Sequence, residues 1–134
     1  MAAKVKRWEE FISLSGETLR CVSYADYFAR RPLFSSLQIK NTAEEAAENI
    51  VLTVENENGM LIPFEKTFES LPFESVVNVE IGNLLSPLYF SNADEIRQET
   101  ITATLRKEKK VLATSTWTVT TLPFDFWQIG RAHV

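Results

Sequence analysis

The sequence predicts an all-β fold, an antiparallel β-sandwich of about seven strands with a short N-terminal helix, and three observations carry that expectation. Residues 99–122 read as a long β-hairpin. In its first arm Ile101, Ala103 and Leu105 alternate with Thr100, Thr102 and Thr104. After a charged tip, Lys107-Glu108-Lys109-Lys110, the second arm places Val111, Ala113, Trp117 and Val119 on one parity. Such period-two alternation of apolar and β-branched residues suits a pleated surface with one face in a core and one in water. Shorter period-two runs recur upstream at roughly 8–12-residue spacing, separated by Gly, Pro and Asn turns, the pattern of sandwich strands. Nowhere does an apolar run approach the ~18 residues of a membrane-spanning helix.

In chain order, residues 4–14 put Val5, Trp8, Phe11 and Ile12 at helical spacing with Glu9 and Glu10 outward. This predicts an amphipathic N-terminal helix within residues 1–16, packing on its own sandwich because its apolar stripe is narrow. Residues 18–24 alternate Leu19, Cys21 and Ser23 against Arg20, Val22 and Tyr24, a first or edge strand in which Cys21 is a small buried hydrophobe. Residues 25–31 form a short helical connection stopped by Pro32. The adjacent Arg30 and Arg31 read as solvated charges, since an anion site would also want convergent glycine-rich N–H groups.

Residues 33–40 are the next strand, with Leu33, Leu37 and Ile39 on one parity, and 41–48 an acidic loop. Residues 50–55 return with Ile50, Leu52 and Val54 inward, and Asn58-Gly59 marks a turn. Residues 60–62 and 64–68 read as one strand interrupted at Pro63, which suits an edge. Residues 76–81 form a further strand, and 83–92 an apolar crossover that closes one end of the sheets. The sandwich is assigned to residues 17–127.

Composition narrows the function. The 134 residues are one domain's worth of chain, enough for a real core. Fourteen basic against eighteen acidic residues give a net charge of −4, the wrong sign for a generic phosphate-backbone binder. A single cysteine permits no intrachain disulfide and fits a reducing compartment, and the N-terminus has no apolar signal region, so a cytoplasmic location is expected. The one histidine is His133, close to the C-terminus. One Cys and one His cannot fill a tetrahedral zinc site, and without His133 no histidine-based catalytic constellation is possible. Four glycines in no phosphate-binding pattern exclude a glycine-rich cradle. Glu44, Glu45, Glu48, Glu55, Glu57, Glu65 and Glu69 read as solvated faces rather than a glycosidase pair. Asn56-Glu57-Asn58-Gly59 lacks the spaced ligands of a calcium loop. The expectation is a protein that is not an enzyme, holds no cofactor or metal, and binds neither nucleic acid nor membrane directly.

Two sets of residues carry a resemblance. Ser35-Ser36-Leu37-Gln38-Ile39-Lys40-Asn41-Thr42 followed by Ile50-Val51-Leu52-Thr53-Val54 is similar to the opening of immunoglobulin-like accessory domains. Asn83-Leu84-Leu85-Ser86-Pro87-Leu88-Tyr89-Phe90, residues 100–107, and Leu122-Pro123-Phe124-Asp125-Phe126-Trp127 resemble the amino-terminal domain of large bacterial proteins that carry a superfamily-one, DNA-helicase-like ATPase further along the chain. The resemblance covers residues 33–127, and this chain contains no helicase motif. It implies an immunoglobulin-like sandwich that serves as a non-catalytic accessory or interaction domain, docking on downstream domains or a protein partner. In that family an aromatic or acidic residue, any residue, Trp and Gly lead into the next domain. Asp125-Phe126-Trp127 would fill that segment here, in a more apolar setting than the family's, which makes Phe124, Phe126 and Trp127 the candidate contact residues.

Ile129-Gly130-Arg131-Ala132-His133-Val134 also resembles read-through of a common short-read sequencing adapter. The adapter's first two bases, A and G, would end the preceding codon and restrict residue 128 to Gln, Lys or Glu; it is Gln128. Residues 128–134 are therefore expected to be an artefactual tail and the gene to continue past Trp127. The alternative function is a free-standing ligand- or carbohydrate-binding sandwich using Tyr89 and Phe90. Where the exposed aromatic residues cluster should separate the two readings.

Overall fold

The computed structural model describes residues 7–123. Within them the expected N-terminal helix is corrected to a single 3-10 turn, Trp8–Glu10, followed by strand β1, Ile12–Thr18. Ile12 and Leu14 are buried while Ser13 and Ser15 are exposed. This period-two run through serines and Gly16, all weaker helix formers than alanine, decides the local structure against the helical reading.

β2 is only Cys21–Val22. Between β1 and β2 the chain crosses from one sheet to the other through Leu19 and Arg20, whose main-chain groups bond to Leu33 and Thr120 at 2.9 Å. β2 lies parallel to the last strand, Cys21 opposite Thr120 and Val22 opposite Thr121. The parity is the reverse of the expected one: Val22 enters the core at 0% exposure and Cys21 faces outward.

The remaining elements are α1 (Tyr24–Phe28), β3 (Phe34–Asn41), β4 (Ala47–Glu55), β5 (Phe64–Leu71), β6 (Ser75–Asn78), α2 (Pro87–Ser91), β7 (Arg97–Lys107) and β8 (Lys110–Thr121). They form a three-stranded sheet, β1-β3-β6, packed against a five-stranded one, β2-β8-β7-β4-β5. β1 and β2 are two halves of one first strand divided between the sheets, and the hairpin β7-β8 joins β4 in the second. This is an immunoglobulin-like sandwich without the inter-sheet disulfide of antibody domains. As expected for a strand beside Pro63, β5 is an edge. Met60 to Ile62 does not extend it: Leu61 bridges Leu85, and Ile62 and Ser86 bond to Leu84 and Met60.

The core lies between the sheets. Leu37 and Ile39 from one side meet Ile50, Leu52, Val54, Ile101, Leu105 and Val119 from the other, none more than 2% exposed. Each such fully buried aliphatic side chain contributes about 1.5–3 kcal/mol. In the hairpin a register shift between Leu105 and Arg106 leaves Leu112 without a partner. A bulge of this kind reverses parity, so Leu112 is buried and Val111 is 47% exposed, against the expected assignment of Val111 to the inner face. Asn41, in the stretch similar to accessory domains, is 1% exposed. Its amide donates to the Glu45, Leu71 and Pro72 carbonyls and accepts from the Ala43 N–H. It thereby fastens the acidic loop to the end of β5.

Candidate functional site

Both short helices cap the end of the sandwich from which β8 emerges. α1 begins at Ser23, whose N–H donates to the Asp26 carboxylate at 2.9 Å, and it ends where Arg30 takes φ 57° just ahead of Pro32. α2 starts with Pro87 in its first turn, where the missing N–H carries no penalty. Asn83 ties α1 to the segment that leads into α2: it donates to the Tyr27 carbonyl at 3.2 Å and accepts from the Leu85 N–H at 2.9 Å. Phe90 is fully buried, fixing α2 to the core, and Leu88 is left 71% exposed.

Beneath α2 lies a polar cluster centred on Glu99, the one buried carboxylate among the described residues, at 2% exposure. The Tyr89 hydroxyl donates to Glu99 Oε2 at 2.6 Å, and Asn58 and Asn56 donate to Oε1 at 2.8 and 3.2 Å. Asn56 also donates to the Thr100 carbonyl and accepts from the Asn58 and Met60 N–H groups, holding the turn that ends at Gly59, φ 78°. Burial pushes the Glu99 carboxyl up, but hydrogen bonds from Tyr89, Asn58 and Asn56, with Arg97 nearby, outweigh it and hold the group below the usual carboxylate range. Burial and the bond to Glu99 raise the Tyr89 phenol above its ordinary value. The pair is thus ionised carboxylate and neutral phenol at neutral pH. A general base or acid would instead be tuned toward neutrality. Chemically the cluster is a clamp joining β7, α2 and the Asn56–Gly59 turn.

On the other side of the 83–87 segment an open cleft of about 770 Å³ runs along α1, with Tyr27, Phe28, Ile62, Leu85 and Pro87 in its walls and Arg30 at its rim. Phe28 is 79% and Ile62 52% exposed. β8 ends beside it: the Leu122 N–H donates to the Val22 carbonyl at 2.9 Å, and Val22 leads through Ser23 into α1. Pro123 is buried.

Phe124, Phe126 and Trp127, the contact residues expected from the sequence, lie outside the described residues, as do residues 128–134. Exposed aromatic residues beside the C-terminal exit would favour the accessory module and ones around residues 84–92 the ligand-binding module, but the end of β8 and residues 84–92 fall at one end of the molecule. Phe90 is not available to a ligand, and the Tyr89 hydroxyl is engaged by Glu99 and Thr121. Glu44, Glu45, Glu48, Glu55, Glu57, Glu65 and Glu69 are exposed, as expected for solvated faces. Arg31 pairs with Asp26 at 3.4 Å. Among the described residues no group of three or more His, Cys, Asp or Glu is placed to hold a metal ion, and no helix is long and apolar enough to cross a membrane. The sequence reading did not single out Glu99, although a signal was present: Glu99 shares parity with Ile101, Ala103 and Leu105, the face that enters the core.

Comparison with models of known protein families gives no match, and no curated protein matches the chain.

Proposed function

We propose that this protein is a non-catalytic accessory module, cytoplasmic in setting, whose helix-capped end docks on the polypeptide that follows it in a longer, helicase-like bacterial protein. One observation carries the reading. The exposed apolar side chains Phe28 and Ile62 share the cleft along α1, at the end where the chain leaves the sandwich. Exposed aromatic and aliphatic groups at a chain exit are what an interdomain contact requires. The buried ionisable cluster supports the same reading, since its carboxylate is fully engaged by internal donors.

The test is to read the source gene past codon 127, express the continuous product, and compare amide hydrogen exchange in the module alone and in the longer protein. Slower exchange in α1, α2 and residues 60–62 of the longer protein is expected. Identical exchange at these sites, or a frame that stops at codon 134, rejects the proposal and favours a free-standing ligand-binding module.

A further inference from the structure

We propose that the outer edge of β8 pairs with the same edge of a second copy of this chain, the two strands running antiparallel so that two five-stranded sheets become one continuous sheet.

That edge is open for most of its length. Along a strand the main-chain groups of successive residues turn to opposite sides. The Thr120 N–H donates to the Arg20 carbonyl and the Leu122 N–H to the Val22 carbonyl, both at 2.9 Å, so Thr120 and Leu122 turn their main-chain groups away from β7. By the same alternation Thr114, Thr116 and Thr118 turn that way too. β2 covers only Thr120 and Thr121, and among the described residues nothing bonds to the main chain of the other three on that side. Their side chains are exposed.

The other edges carry the usual protections against strand addition. β5 bears Glu65, Lys66 and Glu69 and is flanked by Pro63 and Pro72. β6 is four residues long. The Leu14 and Gly16 carbonyls of β1 are taken by Ser115 and Trp117. β8 has no such device: Val111 to Val119 contains no charge, glycine or proline.

Charge selects a second copy as the occupant. A two-fold axis at Ser115 sets Thr114 of one copy opposite Thr116 of the other, a favourable cross-strand pair, and brings no like charges together along Val111 to Val119. The same operation about Thr67 of β5 would set Glu65 against Glu69. Ser115 and Trp117 lie on the opposite face from these threonines and keep their bonds to β1 of their own copy.

A contact built mainly from main-chain bonds falls at the small end of interfaces, so a dissociation constant between about 10 μM and 1 mM is expected. Sedimentation equilibrium of the chain of residues 1–134 over that range measures it, and amide hydrogen exchange by NMR locates it. Exchange at the Thr114, Thr116 and Thr118 N–H groups should slow as the dimer fills. Thr116→Pro removes an outward N–H without touching the ladder to β7 and should weaken association by at least about tenfold. If circular dichroism shows that variant to be unfolded, Thr116→Lys is read instead; it places a charge in the seam on the exposed face and should weaken association likewise. A monomer throughout the range, which would leave the edge to a foreign strand, overturns the proposal. So does a dimer unweakened in the folded variant, or one that forms without slower exchange at the three threonines.

Discussion

The indole N–H of Trp117 donates to the main-chain carbonyl of Gly16, 3.0 Å away and 101 residues earlier in the chain. Two residues back on β8, the Ser115 hydroxyl donates to the Leu14 carbonyl at 2.7 Å. Side chains of one sheet thus close the open edge of β1 in the other, an edge that would otherwise offer its carbonyls to a foreign strand. Trp117 also meets Phe34 edge to face at 4.9 Å. A Cβ on Gly16 would fall 2.5 Å from the Ser36 carbonyl oxygen and 3.0 Å from a Leu37 methyl.

Replacing Gly16 by Ala should therefore destabilise the fold by about 1–3 kcal/mol, the usual range for overpacking. Ser115→Ala should cost about 1 kcal/mol, the net value of one hydrogen bond. Urea unfolding midpoints read both. A Gly16→Ala midpoint equal to that of the parent would mean β1 can slide away from β3 at no cost.

The Glu99 clamp predicts a pH dependence with a definite sign. A carboxylate whose folded pKa is depressed adds stability above its unfolded value, about 4.3, and loses it as pH falls through the lower folded value. Tyr89, raised in the fold, adds stability that is complete below its unfolded pKa near 10 and is lost as pH rises through the folded one. Thermal melts of Glu99→Gln should show a shallower acid limb than the parent, and Tyr89→Phe a shallower alkaline limb. Superimposable limbs would remove both groups from the linkage.

Asn41→Leu should be among the most damaging single changes outside the hydrophobic core. It deletes an amide that serves four main-chain groups and takes the hydrogen bond from the buried Leu71 carbonyl, a loss of about 1–3 kcal/mol. Hydrogen exchange should quicken first at Ala43, whose N–H donates to the Asn41 side chain. Unchanged protection there would show the loop to be held by other means.

Cys21 faces solvent on a two-residue strand. One equivalent of thiol should react with Ellman's reagent in the folded protein, without denaturant, and Cys21→Ser should change stability by no more than about 0.5 kcal/mol. A thiol that reacts only on unfolding would restore the buried assignment made from the sequence.

The sequence by itself determined the β character, the long C-terminal hairpin, the inward sets Leu37 and Ile39, Ile50 to Val54 and Ile101 to Leu105, and the edge placement of the strand beside Pro63. All of these are local: a side-chain period and a turn residue suffice to specify them. Tertiary structure decided the rest. Whether Ile12 belonged to a helix stripe or a strand face depended on β3 lying 20 or more residues away. The parity at Cys21 depended on which sheet β2 joined, and that at Val111 on a bulge visible only in the pairing. Glu99 sat on a face the sequence marks as buried, but its donors, Asn56, Asn58 and Tyr89, come from a turn and a helix that only the closed sandwich brings together. A buried charge is stable where several elements converge to bond it, and convergence is a property of the fold, not of any one stretch of chain.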